Sequence, residues 1–158
     1  MGHSTIVPKH SQIYGPAPKN GIYGDKELGK MMDEFNSYIP KLKGLSPELK
    51  DADLKLRDGE NWIYIKNKPG DLLRRQSNNF SDASKPKDPW NKAILGQAAY
   101  TVEALYHMQV SIQRLDRYSN TYPNKDVKIR NNSVKYNTAK VKENLNELRN
   151  MLGKSLKK

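Results

Sequence analysis

The chain has 158 residues and no cysteine, which excludes disulfides, thiolate metal sites and a thiol nucleophile, and its length suits one ordinary domain with an appendage. It carries 28 Lys and Arg against 17 Asp and Glu, a formal net charge of +11, which favours acidic partners: nucleic acid, an acidic protein face or an anionic surface. Leu, Ile, Val and Phe make up about a fifth of the residues, so core formers are scarce, and nine Tyr against two Phe suit surfaces that are apolar yet wet.

Residues 1–24 hold Pro8, Pro16, Pro18 and four glycines without a helical or alternating apolar period. Such a segment is an extended arm, able to reach roughly 70 Å at about 3.1 Å per residue. It repeats Ile-Tyr-Gly, at Ile13–Gly15 and Ile22–Gly24. Ile13, Tyr14, Ile22 and Tyr23 therefore read as two partner-binding anchors on a strap, with Gly15 and Gly24 letting the backbone turn. No secretory signal or myristoylation motif is visible, Ile6 standing where the latter needs Ser or Thr. The expected location is cytoplasmic or virion-associated.

Residues 25–158 read as a helical domain. Its first part, 25–57, consists of short helices. Asp25 caps a helix in which Leu28, Met31, Met32, Phe35 and Tyr38/Ile39 recur at helical spacing until Pro40 stops it. Ser46 and Pro47 then suit an N-cap and a first helical position. Residues 58–88 form a hairpin or loop region with two readings at its start. A small β-hairpin can turn at Asp58-Gly59, placing Leu54 and Leu56 opposite Trp62 and Tyr64 or Ile63 and Ile65; alternatively, helix continues to Arg57. From Asn67 to Asp88 the polar composition predicts a long connection with one helical turn at Asp71–Gln76. Lys66 to Arg75 is a basic cluster around Pro69-Gly70, but it lacks the glycine-lysine-hydroxyl order of a phosphate-binding loop and reads as a solvated loop.

Residues 89–153 form a helical hairpin. Asp88 and Pro89 open a helix that runs to about Ser119, and a second runs from about Lys125 to Leu152, ended by Gly153; a basic tail, 154–158, follows. The short loop between them demands an antiparallel pair. In the first, Ile94, Ala98, Thr101, Leu105, Met108, Ile112 and Leu115 form a stripe, and Leu95, Ala99, Tyr100, Val102, Ala104, Tyr106 and Val110 extend the apolar surface around it. One companion helix cannot cover so much apolar surface, so the Asp25–Ile39 helix or another subunit is expected against it. Glu103, His107 and several Gln and Ser residues make this rod too polar for a lipid-facing span, and no membrane insertion is expected.

In the last helix, Val127, Asn131, Val134, Thr138, Val141, Leu145, Leu148 and Leu152 form a narrow seam. Beside it Lys128, Lys135, Lys142 and Arg149 repeat every seven residues, continued by Lys154, Lys157 and Lys158. Residues 125–158 carry ten Lys or Arg against three acids, so most of the net charge lies there. This ridge either keeps the seam soluble or faces an acidic surface or nucleic acid. The matching positions on the partner helix, Leu95, Val102, Gln109 and Asp116, offer one carboxylate, which favours a partner external to the chain.

No residue pattern carries catalysis. Glu103 and His107 share a helical face, but His3 and His10 are the other imidazoles, both in the arm, so the pair reads as core hydrogen bonding and no metal or cofactor is expected. Gly21-Ile22-Tyr23 and Tyr38-Ile39-Pro40 do not make the paired motif of GIY-YIG nucleases, because their separation is long and Pro40 replaces the glycine. The expectation is a mainly α fold: an antiparallel long-helix hairpin in a helical bundle, with an extended N-terminal arm and a small β-hairpin as one reading of residues 58–66. The expected function is that of a non-enzymatic structural or assembly protein with protein subunits as partners, in a homo- or hetero-oligomer, by analogy with arms in virus and phage particles. A small basic nucleic-acid-binding protein is the alternative, and a small nuclease or hydrolase a distant third.

Overall fold

The computed structural model describes residues 25–58, 61–62, 69–85, 88–121 and 127–156; the arm and its two Ile-Tyr anchors lie outside them. The fold is mainly helical. Helix α1 spans Asp25–Lys43, α2 Pro69–Ser84, α3 Pro89–Thr121 and α4 Val127–Leu156, with a single 3-10 turn at Pro47–Leu49.

Helix α1 buries Leu28, Met32, Phe35, Ile39 and Leu42, steps of three and four that keep one stripe against the core, with Met31 beside it. It runs through Pro40 rather than stopping there. Proline removes one intrahelical bond, but only one turn remains to be held, and fully buried Leu42 holds it. Ser46 and Pro47 then start a 3-10 turn and nothing longer: Ser46 directs its hydroxyl to the Glu48 carboxylate instead of capping a backbone N–H.

Residues 52–55 are irregular, and the reason lies in Leu54 and Leu56, which are 1% and 0% exposed. In extended chain, residues two apart point the same way, so both reach the core; on a helix they would diverge. Two side chains clamp this segment. Asn36 Oδ1 accepts from the Leu56 N–H at 2.8 Å, and Gln76 Nε2 donates to the Asp53 carbonyl at 2.8 Å. Arg57 and Asp58 do pair antiparallel with Trp62 and Asn61. That two-residue contact does not support the expected small β-hairpin, because the leucines assigned to its first strand are consumed by the helical core. Helix to Arg57 is likewise absent.

Helix α2 replaces the long connection expected over Asn67 to Asp88. Pro69 occupies its first position, where a missing N–H costs nothing. Its Asn- and Ser-rich sequence has weak helix propensity, so tertiary packing of one narrow stripe, Leu73, Gln76, Phe80 and Ala83, must hold it. Phe80 meets Phe35 of α1 edge to face, with centroids 5.5 Å apart.

Asp88 caps α3 as expected, its Oδ1 accepting from the Trp90 and Asn91 N–H groups at 3.1 Å each. The predicted stripe from Ile94 to Leu115 is buried throughout. A second face, Leu95, Ala99 and Val102, is buried as well, and Ser77 of α2 donates to the Ala99 carbonyl at 3.0 Å on that side. Helices α2 and α4 make the largest contacts with α3, and α1 a smaller one. The Leu95, Ala99 and Val102 side of the rod is therefore covered from within the chain, mainly by α2 with a smaller contribution from α1, while Tyr100 of the same apolar set stays exposed.

Helix α4 lies antiparallel to α3: Gln97, early in α3, donates through Nε2 to Asn144 Oδ1 at 2.9 Å, late in α4. Val134, Thr138, Val141, Leu145, Leu148 and Leu152 are buried in the seam. Thr101 and Thr138 sit there at little cost, each hydroxyl donating to the carbonyl four residues back at 2.7 Å. Gly153 does not end α4, which continues to Leu156. Among the described residues no helix is long and apolar enough to cross a membrane.

Two stability measurements check this architecture. Phe80→Ala leaves a cavity between α1 and α2, and urea unfolding should show a loss of about 3–5 kcal/mol. Gly153→Ala should raise stability by about 0.5–1 kcal/mol, since a helix-interior glycine with open space around its Cβ gains from the substitution, whereas a glycine terminating the helix would lose.

Candidate functional site

The basic ridge of α4 starts as a consequence of heptad spacing: residues seven apart fall on nearly one line beside the buried seam. Lys135, Lys142, Arg149 and Lys154 are exposed on this helix, and the side chain of Lys128 lies outside the described residues, as do Lys157 and Lys158. Lys142 and Arg149 turn towards α1. They border a groove of about 520 Å³ between α1 and α4, with Glu27, Lys30, Met31 and Glu34 on the α1 side and Glu143, Leu145 and Asn146 on the α4 side.

Lys142 Nζ lies 3.7 Å from Glu27 Oε1. With the lysine largely in solvent this pair contributes about 0.2–1 kcal/mol, enough to orient the side chains and too little to hold the helices together. Arg149 donates to Asn146 Oδ1. The carboxylates facing the ridge thus come from α1, not from α3, where the heptad argument looked for them. Spacing did announce them: Glu27, Lys30 and Glu34 flank the buried Leu28, Met31 and Phe35 at helical intervals. What it could not tell is that α4 passes beside that flank.

Glu34 also accepts a hydrogen bond from Tyr38 Oη at 2.8 Å. Burial of the phenol, with that bond and the charge of Glu34, pushes Tyr38 up to about 12, against a smaller opposing effect of Arg149. The ring packs on the core and its hydroxyl stays protonated, a fixed donor at the groove edge. The groove floor is apolar, from Met31 and Leu145, and its walls carry equal numbers of acidic and basic side chains.

Glu103 and His107 are not buried core partners. They stand 3.7 Å apart on the outer side of α3, each more than half exposed. Helix α3 is apolar on the faces turned to α2 and α4, and this pair occupies the remaining arc. Nearby, Arg74 lies over the Tyr106 ring, 5.9 Å from its centroid, in a cleft of about 230 Å³ shared with Ser77 and Asn78. Arg74 and Arg75 thus project from α2 instead of a loop. Among the described residues no three His, Asp or Glu side chains converge for a metal ion.

Tyr100, expected among the apolar residues of the rod that need cover, is instead 66% exposed, and Tyr136, which its spacing did not single out, is 63% exposed. Tyr136 has Lys140 Nζ 5.5 Å from its ring centroid. Both rings belong to helices whose seams are otherwise complete, so their exposure follows from the packing of the other faces. Comparison with protein-family models, curated proteins and solved structures yields no match.

The Tyr38 environment has a pH signature. Its folded-state value lies above the ordinary 10, so its contribution to stability is fully present below pH 10 and falls as pH rises to about 12. Relative to Tyr38→Phe, the native chain should be more stable by about 0.5–1 kcal/mol below pH 10, with the advantage vanishing across that window. Urea unfolding at stepped pH, beside ultraviolet titration of the tyrosines, reads both.

Proposed function

We propose that the chain is a non-enzymatic assembly protein, in which residues 25–158 serve as a helical platform and the arm of residues 1–24 docks onto a neighbouring subunit. The observation that carries this reading is the doubled Ile-Tyr-Gly, Ile13–Gly15 and Ile22–Gly24, set in a proline- and glycine-rich segment. Each copy offers an aliphatic and an aromatic anchor, and two weak anchors on a short linker bind far better together than apart.

The α1–α4 groove supports the reading as a receiver for such a strap. Its floor of Met31 and Leu145 suits an Ile-Tyr pair. The apolar circumference of α3 lends little support, since α2 covers its Leu95, Ala99 and Val102 side. A virus or phage particle is the setting in which arms of this kind are put to such use. A second reading, nucleic-acid binding, draws on the ten Lys or Arg in residues 125–158.

The test is the assembled mass of the full chain by light scattering, compared with Ile13→Ser, Tyr14→Ser, Ile22→Ser and Tyr23→Ser combined. The expected result is loss of the larger assemblies with helicity by circular dichroism unchanged; an unchanged assembled mass overturns the arm. Binding of a labelled oligonucleotide that weakens steeply with salt, by a slope of about 0.7 per phosphate contact on a single strand, would favour the second reading instead.

A further inference from the structure

The arm ends where the α1–α4 groove begins. Helix α1 opens at Asp25, and Glu27, two residues on, pairs with Lys142 at the near end of the groove, while Glu34 and Arg149 line its far end. Met31, on the floor, lies about 9 Å along α1 from Asp25. Tyr23 precedes Asp25 by two residues, at most about 7 Å of chain, which leaves no slack for a reversal. Ile13-Tyr14 is joined to α1 through the ten residues Gly15–Gly24, about 31 Å of chain against the 9 Å or so required. Of the two anchors, the first alone can turn back into the groove of its own chain.

Charge in the groove points to a neutral occupant. Glu27, Glu34 and Glu143 face Lys30, Lys142 and Arg149, so the walls sum to zero, and Ser11–Pro18 carries no charged residue. A phosphate backbone would meet three carboxylates there, and a strongly charged peptide as many like charges as opposite ones. The floor residues Met31 and Leu145 are 6% and 3% exposed, so an Ile-Tyr pair laid on them gains little apolar area and is weak as a contact between separate molecules. The tether decides. A short linker holds its own anchor at a millimolar effective concentration, about 100-fold above a second copy present at about 10 µM.

We infer that Ile13-Tyr14 docks in the α1–α4 groove of its own chain when no neighbour is bound, with Ile22-Tyr23 left outside it. The first anchor must then leave this groove before it can serve a neighbouring subunit, so self-docking raises the concentration at which subunits join. This rests on the assembly reading for the two anchors and adds where one of them lies before assembly.

The chain has no cysteine, so a disulfide trap, which closes only when two Cβ atoms come within about 4.5 Å, reads the contact without background. The full chain with Gln12→Cys and Asn146→Cys, the second in the groove wall, is oxidised at about 10 µM beside a control with Gln12→Cys and Glu147→Cys, one position along α4 and outside the lining. The expected result is an intrachain disulfide of monomer mass, formed at least about 10-fold faster than in the control and slowed to the control rate by Ile13→Ser/Tyr14→Ser. Circular dichroism checks the fold, and should Asn146→Cys lose helicity, Glu143→Cys replaces it on the same wall. Equal rates for the two pairs overturn the docking, as does a fast rate that survives replacement of the anchor. Disulfide-linked dimers overturn it too, by giving the groove to a neighbour's arm, and leave the assembly reading standing. A trapped monomer whose assembled mass is unchanged when all four anchors are replaced keeps this contact and removes that reading.

Discussion

Burial of α3 on two faces is the constraint on which the remaining structure depends. Its 33 residues present Ile94, Ala98, Leu105, Met108 and Ile112 to one side and Leu95, Ala99 and Val102 to the next, so a single companion leaves apolar surface wet. Covering the first side is the task of α4, whose seam is apolar for most of its length. Covering the second falls to α2, a helix with so little propensity of its own that the contact with α3 explains its existence better than its composition does. Helix α1 packs beside them, contacting both α3 and α4, and joins α2 to the core through Phe35 and Phe80.

The irregular segment at residues 52–56 shows the same logic at smaller scale. Its two leucines need to reach the core together, which non-helical backbone permits, and such backbone leaves peptide groups that require partners. Asn36 and Gln76 supply them from the two flanking helices. Two amide side chains thereby convert a stretch that could form helix or strand into a strap across the core. Their geometry also ties α1 to α2, so the polar contacts reinforce the packing that the apolar ones establish.

Charge follows from this arrangement. The ridge on α4 borders α1, where Glu27 and Glu34 meet Lys142 and Arg149 across a groove, and part of the positive field is spent inside the molecule. Tyr100 on α3 and Tyr136 on α4 are left exposed.

Local information sufficed wherever an element is defined by its own spacing. The stripes of α1, α3 and α4, the Asp88 cap and the antiparallel pairing of the long helices all follow from residues within a few turns of one another, and sequence alone determined them. Of the candidate site, the heptad positions Lys135, Lys142 and Arg149 were legible for the same reason. Tertiary structure alone decided that Asn67 to Asp88 contains a helix, that Leu54 and Leu56 join the helical core instead of a hairpin, that Gly153 lies inside α4, and that the ridge meets acids from α1. Each of these depends on what a distant segment offers as a surface: α2 is a helix because α3 has a second apolar face, and the ridge is partly neutralised because α1 lies beside it. Periodicity records which side of an element is apolar; it carries no information about which neighbour covers that side.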